Sequence, residues 1–130
     1  MHKIRYLLDL HGHSARRNIF AYTDEFEVHT KDFLLSRILP KLLNDAISSF
    51  KYEYCVFRAS KQKKNTARVH FSNKFKLTAI TFEQSYGLLD FGCIGVSHWK
   101  NFGTAIAECL LDFAKLFEGG QFSALEDYLS

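Results

Sequence analysis

Two histidines stand two residues apart in the stretch DLHGHS at residues 9–14, with an aspartate just before them. In an extended chain, residues i and i+2 point to the same face, so His11 and His13 could reach one metal ion. Neutral imidazole is a good ligand of zinc, and water bound to zinc has its pKa lowered toward about 7. The spacing alone is equally compatible with one histidine in a hydrogen bond and the other in solvent.

The segments around these histidines alternate between extended and helical patterns. Residues 4–10 are rich in apolar side chains and end near Gly12, which predicts a short, largely buried strand with the histidines at its end. Residues 24–32 are acidic and aperiodic, which predicts a loop or a weak helix. Further strands are predicted at residues 18–22, 54–58, 67–71 and 77–83.

Two helices are predicted between and after these strands. Pro40 is the only proline, and apolar residues recur at helical spacing after it, so we expect it in a first turn, where its missing N–H is harmless. The second helix carries an apolar stripe from Trp99 to Phe117, which we expect to lie in the core, and ends at Gly119. The alternation predicts a single α/β domain over residues 1–130, with active groups at strand ends.

Composition limits the class of protein. The 130 residues are 47% apolar and 15% aromatic, which is ample for a buried core, and no apolar run is long enough to span a membrane. Cys55, Cys93 and Cys109 are odd in number and widely spaced, so we expect buried thiols in a reducing compartment. These features predict a soluble protein of the cytoplasm.

The basic residues are unevenly distributed along the chain. The net charge is only +3, but Arg16 and Arg17 are adjacent, and residues 61–64 hold three lysines shortly before Arg68. Such clusters favour an acidic partner. We expect that partner to be a protein, with neither a nucleic acid nor a membrane bound, and we expect residues 61–64 to form a loop.

One family with a similar motif is the PHP phosphoesterases. An Asp-x-His-x-His-Ser on a first strand is similar to the opening of these barrel metallohydrolases, in which both histidines bind metal. Such barrels need more chain, and more histidines and acids at later strand ends, than remain here. This PHP-like alternative would require both His11 and His13 on metal.

The stretch DLHGHSARRNIFAY resembles the cytosolic carboxypeptidases, a branch of the M14 zinc carboxypeptidases that trims glutamates from tubulin tails. The family pattern is close to D-x-H-G-H-S-x-K-x-N-x-F-x-Y. Three further blocks follow in the family order, namely LPKLLNDAISSF, NTARVHF and LTAITFEQSYG. The resemblance extends from Ile4 to about Phe117. It implies part of a mixed-sheet, phosphorylase/hydrolase-like α/β fold, matching the C-terminal half of a catalytic domain, with helices packed on the sheet.

The resemblance also implies roles for single residues. His11 matches the third zinc ligand of the family, and Glu83 matches its general base, which takes a proton from water and passes it to the leaving amine. Arg68 is expected on a strand that neighbours Glu83. The candidate substrate-binding residues are His13, Arg16, Arg17 and Arg68.

The implied cofactor is zinc, and its remaining ligands are not found in this sequence. The family takes two zinc ligands from a His-x-x-Glu motif, which occurs nowhere in the chain. We therefore expect no hydrolysis by the chain alone, which would be a fragment, one half of a two-part enzyme, or a non-catalytic binding module on microtubules or cilia.

The resemblance implies acidic protein tails, such as tubulin polyglutamate, as the partner. The corresponding location is the cytoplasm, with the cytoskeleton or cilium as the finer alternative. A partial sheet would expose strand edges and apolar faces, which predicts self-association or a complementary polypeptide.

Overall fold

A computed structural model describes residues 4–58, 65–120 and 122–130, with the backbone alone at residue 122. The strands are β1 (Tyr6–His13), β2 (Ile19–Thr23), β3 (Val56–Phe57), β4 (Thr78–Ser85), β5 (Leu88–Leu89) and β6 (Gly92–Cys93). The helices are α1 (Lys31–Ala46), α2 (Ala67–Phe75), α3 (Val96–Glu118) and α4 (Phe122–Leu129), and a 3-10 turn at Tyr52–Tyr54 precedes β3. The predicted loop at residues 61–64 lies outside the described residues.

The main sheet has the strand order β1-β4-β2-β3. β1 runs parallel to β4, β2 runs antiparallel to β4, and β3 runs parallel to β2. Since β4 has a neighbour on each side, most of its residues are buried. Among the described strands, β1 pairs with β4 alone. It is half-buried to exposed, so the expectation of a largely buried first strand was wrong.

The core lies between one face of this sheet and the helices α1 and α3. Phe50, Phe82 and Phe102 pack together at its centre, with ring centroids 5.4 to 6.4 Å apart. The buried residues of α3 are Phe102, Ala105, Ile106, Cys109 and Phe113. Trp99 begins the predicted stripe but is 39% exposed, so its assignment to the core was wrong.

Helix α1 begins well before the predicted position. Thr30 is its N-cap, and the side-chain oxygen of Thr30 accepts the backbone N–H of Phe33. Pro40 therefore lies inside the helix, and its expected place in a first turn was wrong. An interior proline costs about 3 kcal/mol. Here the apolar period starts before Pro40 and continues past it, with Leu34, Leu35, Ile38, Leu39 and Leu43 all buried.

Residues 67–71 form a helix, although they were expected to form a strand. The side chain of Thr66 accepts the backbone N–H of Val69 and so starts α2. Val69 is the only β-branched residue among the five, so a strand preference is weak. Arg68 consequently lies on α2 and not on a strand beside Glu83.

The three cysteines differ in their exposure. Cys109 is buried and Cys55 is half-buried, whereas Cys93 is exposed, so the expectation of three buried thiols was wrong for Cys93.

Helix α4 packs against α1, and the sequence had predicted nothing for this segment. Within the described ranges, no helix is long and apolar enough to cross a membrane.

Candidate active site

The parallel pairing of β1 with β4 places the imidazole of His11 beside the carboxylate of Glu83. His11 and Glu83 are register partners, as are Asp9 with Thr81 and His13 with Ser85. Neighbouring strands lie about 4.8 Å apart, and register partners point to the same face. A metal-binding residue type and a general-base residue type therefore meet at the carboxyl ends of two adjacent strands.

His11 lies close to an acid on its own strand. Its Nε2 lies 2.9 Å from Oδ1 of Asp9, and the two side chains are 54% and 28% exposed. Nδ1 has no hydrogen-bond partner among the described residues. A carboxylate close to one imidazole nitrogen, with the other nitrogen unoccupied, is similar to the surroundings of a metal-ligating histidine. Asp9 was not among the residues predicted for the site, although its i, i+2 spacing from His11 is visible in the sequence.

His13 has a different environment at the end of β1. Its Nδ1 accepts the backbone N–H groups of Ala15 at 2.9 Å and of Arg16 at 3.1 Å. The edge of its ring packs against Phe20, with the ring centroids 5.4 Å apart. His13 therefore organises the start of the loop that carries the two adjacent arginines.

Phe20 lies beneath His13 and Arg16 at this site. It was not among the residues predicted from the sequence. It is fully buried, and it is the register partner of Glu83 on the side opposite His11. The guanidinium of Arg16 lies 5.2 Å from its ring centroid. Within the described part of the chain, the carboxylate of Glu83 has no hydrogen bond or ion pair. Phe20 thus contacts His13 and Arg16, and the strand register places Glu83 next to it.

The second arginine lies beside this group. Nη1 of Arg17 is 3.5 Å from the carbonyl oxygen of Leu89. Arg16, Arg17 and Tyr54 line an open cleft of about 240 Å³. The hydroxyl of Tyr54 donates to Asp90, and this bond raises the pKa of Tyr54. The cleft presents two guanidinium groups, which suit a carboxylate ligand.

Asn18 connects this loop to the β5–β6 hairpin. It is fully buried and adopts a left-handed backbone conformation with φ 62°. Its Nδ2 donates to the carboxylate of Asp90 at 2.6 Å, and its Oδ1 accepts the backbone N–H of Asp90 at 3.1 Å. Because the arginines directly precede Asn18, these bonds hold the arginine loop against the hairpin.

Arg68 is set apart from the other predicted site residues. Its side chain is 3% exposed, and its guanidinium is paired with the carboxylate of Asp24. A buried guanidinium with its own counter-ion is poorly placed to bind a substrate, so this geometry does not support a substrate contact by Arg68.

The described residues supply one member of a zinc site and not a whole site. No group of three or more histidine, cysteine or acidic side chains among them is arranged to hold a metal ion. A catalytic zinc ion needs three protein ligands. The free Nδ1 of His11 fits one of these positions, and the other ligands would have to come from outside the described residues.

Three curated proteins show what this sequence is similar to. Mouse cytosolic carboxypeptidase 2 is 31% identical over 111 residues, which cover 81% of this chain. Human cytosolic carboxypeptidase 2 is 32% identical over the same share, and mouse cytosolic carboxypeptidase 3 is 30% identical over 114 residues. The chain spans only 13%, 12% and 11% of these relatives, respectively. No family model matches the chain.

A solved structure shows the same fold. The crystal structure of a metallo-carboxypeptidase from Burkholderia cenocepacia superposes with a TM-score of 0.71 over 87% of this chain. The match covers 31% of that protein, and the sequence identity is 15%. The predicted fold class, part of a mixed-sheet α/β carboxypeptidase fold, is therefore confirmed.

Proposed function

Because this chain is a homologue of one segment of the cytosolic carboxypeptidases, we propose that it supplies part of the active site of a zinc carboxypeptidase. The pairing of His11 with Glu83 across β1 and β4 is the observation that carries this proposal. The reaction would be hydrolysis of the last peptide bond of a protein tail. The relatives are named cytosolic, which supports a location in the cytoplasm.

His11 is the proposed metal ligand, and Glu83 is the proposed general base. His11 would hold zinc together with ligands from outside the described residues, and bound zinc would polarise the carbonyl group of the scissile bond. Glu83 accepts a proton from the attacking water and donates it to the amine of the departing residue. A carboxylate without a partner among the described residues, at the end of a strand, is suited to both proton transfers.

The proposed substrate is a glutamate-rich protein tail, such as the polyglutamate of tubulin. Arg16 and Arg17 are exposed and lie next to the strand end that carries His11 and His13. Guanidinium groups pair with carboxylates through two parallel hydrogen bonds, which favours an acidic residue over a neutral one. This substrate implies a place of action on the cytoskeleton or in cilia.

A chimeric enzyme tests the proposed function. The aligned 111-residue segment of mouse cytosolic carboxypeptidase 2 is replaced by the matching part of this chain. We expect the chimera to bind zinc and to release glutamate from a glutamate-terminated peptide. Glu83→Gln should abolish turnover and leave the zinc content unchanged, whereas Glu108→Gln, on the exposed face of α3, should change neither. Full activity of the Glu83→Gln chimera would refute the assignment.

A second candidate function is a non-catalytic binding module. It is favoured by the exposed Arg16 and Arg17, which line one cleft and can pair with a carboxylate without a metal ion. This candidate predicts that the chain alone binds a glutamate-rich peptide, that salt weakens the binding, and that Glu83→Gln has no effect on it. Fluorescence anisotropy at low and high salt, with metal analysis of the purified chain, separates the two candidates.

A further inference from the structure

We propose that a cleft between the first half of α1 and the end of α4, named here the Arg37 cleft, binds a small carboxylic acid with an apolar body. The cleft has a volume of about 240 Å³ and shares no residue with the candidate active site. Its polar lining includes Arg37. Its apolar lining consists of Val28, Phe33, Leu34, Leu129 and the ring of Tyr52. This proposal does not depend on the proposed function.

Two phenyl rings contact the guanidinium group of Arg37. Its Cζ lies 4.4 Å from the ring centroid of Phe33 and 4.2 Å from that of Phe57. Phe33 stands four residues before Arg37 on α1, so the helix itself maintains the first contact. Ring faces attract the positive charge, but the N–H groups lie in the plane of the guanidinium and need other acceptors. The rings therefore fix the orientation of the group without using its hydrogen-bond donors.

The Nε atom of Arg37 is buried and has no hydrogen-bond partner among the described residues. Arginine stays ionised, and a buried charged donor without an acceptor is costly. Glu126 also lines the cleft, but its Oε1 lies 3.7 Å from Nδ1 of His29, and no carboxylate in the described ranges forms an ion pair with Arg37. An unpaired charged donor beside a cleft indicates that a ligand supplies the missing acceptor.

A carboxylate is the acceptor that fits this donor. Nε and one Nη of a guanidinium present two parallel N–H groups, which match the two oxygens of a carboxylate. Small-molecule sites typically combine an apolar lining with a few converging polar groups. At about 240 Å³ the cleft is smaller than the roughly 300–1,000 Å³ of sites for drug-sized ligands, so we expect a ligand the size of one amino-acid residue. A free acid and the last residue of a peptide both present this chemistry.

A titration of the whole chain with N-acetyl-leucine tests the proposal. We expect the ¹H–¹⁵N NMR signal of Arg37 Nε to shift as the carboxylate binds. The signal of Arg5 Nε is the internal control and should not shift. Arg5 also lies over a phenyl ring, with its Cζ 4.1 Å from the centroid of Phe117, but it is exposed and does not line the cleft.

Two further ligands separate the contributions of charge and apolar surface. N-acetyl-leucinamide has the same shape without the charge. It should bind about 10- to 100-fold more weakly, because a charge-assisted hydrogen bond is lost. Acetate keeps the charge without the apolar body and should also bind more weakly than N-acetyl-leucine.

Variants of the chain locate the binding. Arg37→Lys keeps the positive charge but removes the planar pair of donors, so the affinity for N-acetyl-leucine should fall at least about tenfold. Arg5→Lys is the matched control and should leave the affinity unchanged. Glu126→Gln removes a like charge from the cleft and should tighten binding. If Arg37→Lys does not fold, the comparison of the three ligands on the wild-type chain still decides.

A fourth ligand, 4-methylpentanoate, distinguishes the two sources of the carboxylate. Tighter binding than that of N-acetyl-leucine would support a free acid, and weaker binding would support the end of a peptide. The proposal is overturned if N-acetyl-leucine does not shift the Arg37 Nε signal, or if the amide or acetate binds as tightly as N-acetyl-leucine.

Discussion

At the scale of single residues, the site depends on which face of the sheet each side chain reaches. His11 and Glu83 share a face because β1 and β4 are parallel and in register. A shift of one residue in this pairing would move His11 to the opposite face. Gly12 separates the two histidines, and a Cβ added there would lie 2.2 Å from the ring of Tyr86. A larger residue at this position would therefore displace Tyr86 from the strand end.

The thiol of Cys55 predicts how stability depends on pH. Burial raises the pKa of this thiol to about 12, whereas the pKa of a thiol in an unfolded chain is about 8.5. Between these values the unfolded chain has lost a proton that the folded chain still holds, so the free energy of unfolding falls as pH rises through this range. Burial also raises the pKa of Tyr6, with the same sign.

Urea unfolding measured from neutral to alkaline pH tests this prediction. We expect the free energy of unfolding to decline above about pH 8.5, and to decline less steeply in Cys55→Ala. Equal slopes for the two proteins would show that Cys55 is not responsible for the decline.

At the scale of elements, a buried ion pair joins α2 to the loop after β2. The side chains of Arg68 and Asp24 are 3% and 20% exposed. This pair explains why Arg68 is unavailable to a substrate. It also joins α2 to that loop, in addition to the packing of α2 on β4 and β1.

Asp24→Asn should therefore destabilise the fold strongly. It leaves the guanidinium of Arg68 buried without a counter-charge, which typically costs about 3–5 kcal/mol. The double variant Asp24→Asn with Arg68→Met should recover most of this loss, because no buried charge remains. Asp112→Asn is the matched control, since its pair with Lys115 is exposed on α3, and it should change stability little. Urea denaturation measures all three, and a mild effect of Asp24→Asn would contradict the predicted burial.

The side chain of Asn18 connects the start of β2 to the β5–β6 hairpin through two hydrogen bonds to Asp90. Asn18→Ala removes two hydrogen bonds to Asp90 and places alanine in a left-handed conformation, for a predicted loss of about 2–4 kcal/mol. Asn18→Gly removes the same bonds without the backbone strain and should be less destabilising. Thermal unfolding of both variants checks the order, and a wild-type melting temperature for Asn18→Ala would rule out this role.

At the scale of the whole molecule, the sheet has an open edge beside the candidate site. Within the part of the chain that the structure describes, β1 pairs only with β4, and the exposed fractions of Ile4 and Leu10 are 71% and 54%. On α2, which packs on β1 and β4, the rings of Phe71 and Phe75 stack and are 37% and 51% exposed. An exposed strand edge next to apolar side chains favours pairing with another chain. The chain also spans only 31% of the metallo-carboxypeptidase that it matches in structure.

We therefore expect the purified chain to self-associate or to bind a complementary polypeptide through β1. Leu10→Lys places a charge at the open edge and should reduce self-association. Leu111→Lys is the control, because Leu111 is similarly exposed, at 63%, but lies on α3. Light scattering over a range of concentrations gives the mass of each protein. A wild-type chain that remains a stable monomer would contradict self-association.

Local patterns in the sequence were sufficient to locate β1, β2, β4 and most of the apolar stripe of α3, although not for the exposure of β1 or of Trp99. Alternation and helical period report which side of an element is buried, and this property is encoded within the element itself. The candidates His11 and Glu83 also came from the sequence, through the order of the blocks that surround them. The same local reasoning failed for residues 67–71 and for Pro40. For residues 67–71, the N-cap Thr66 favours a helix over the predicted strand. For Pro40, the buried residues before and after it keep the proline inside α1.

Only the tertiary structure decided how the site is assembled. The register that sets His11 beside Glu83, the ion pair that buries Arg68, and the bonds of Asn18 to Asp90 each join segments far apart in the chain. Such contacts leave no period in the sequence, because each depends on the positions of two elements relative to each other. The sequence therefore determined which chemical groups are present, whereas the packing of separate elements determined which of them meet.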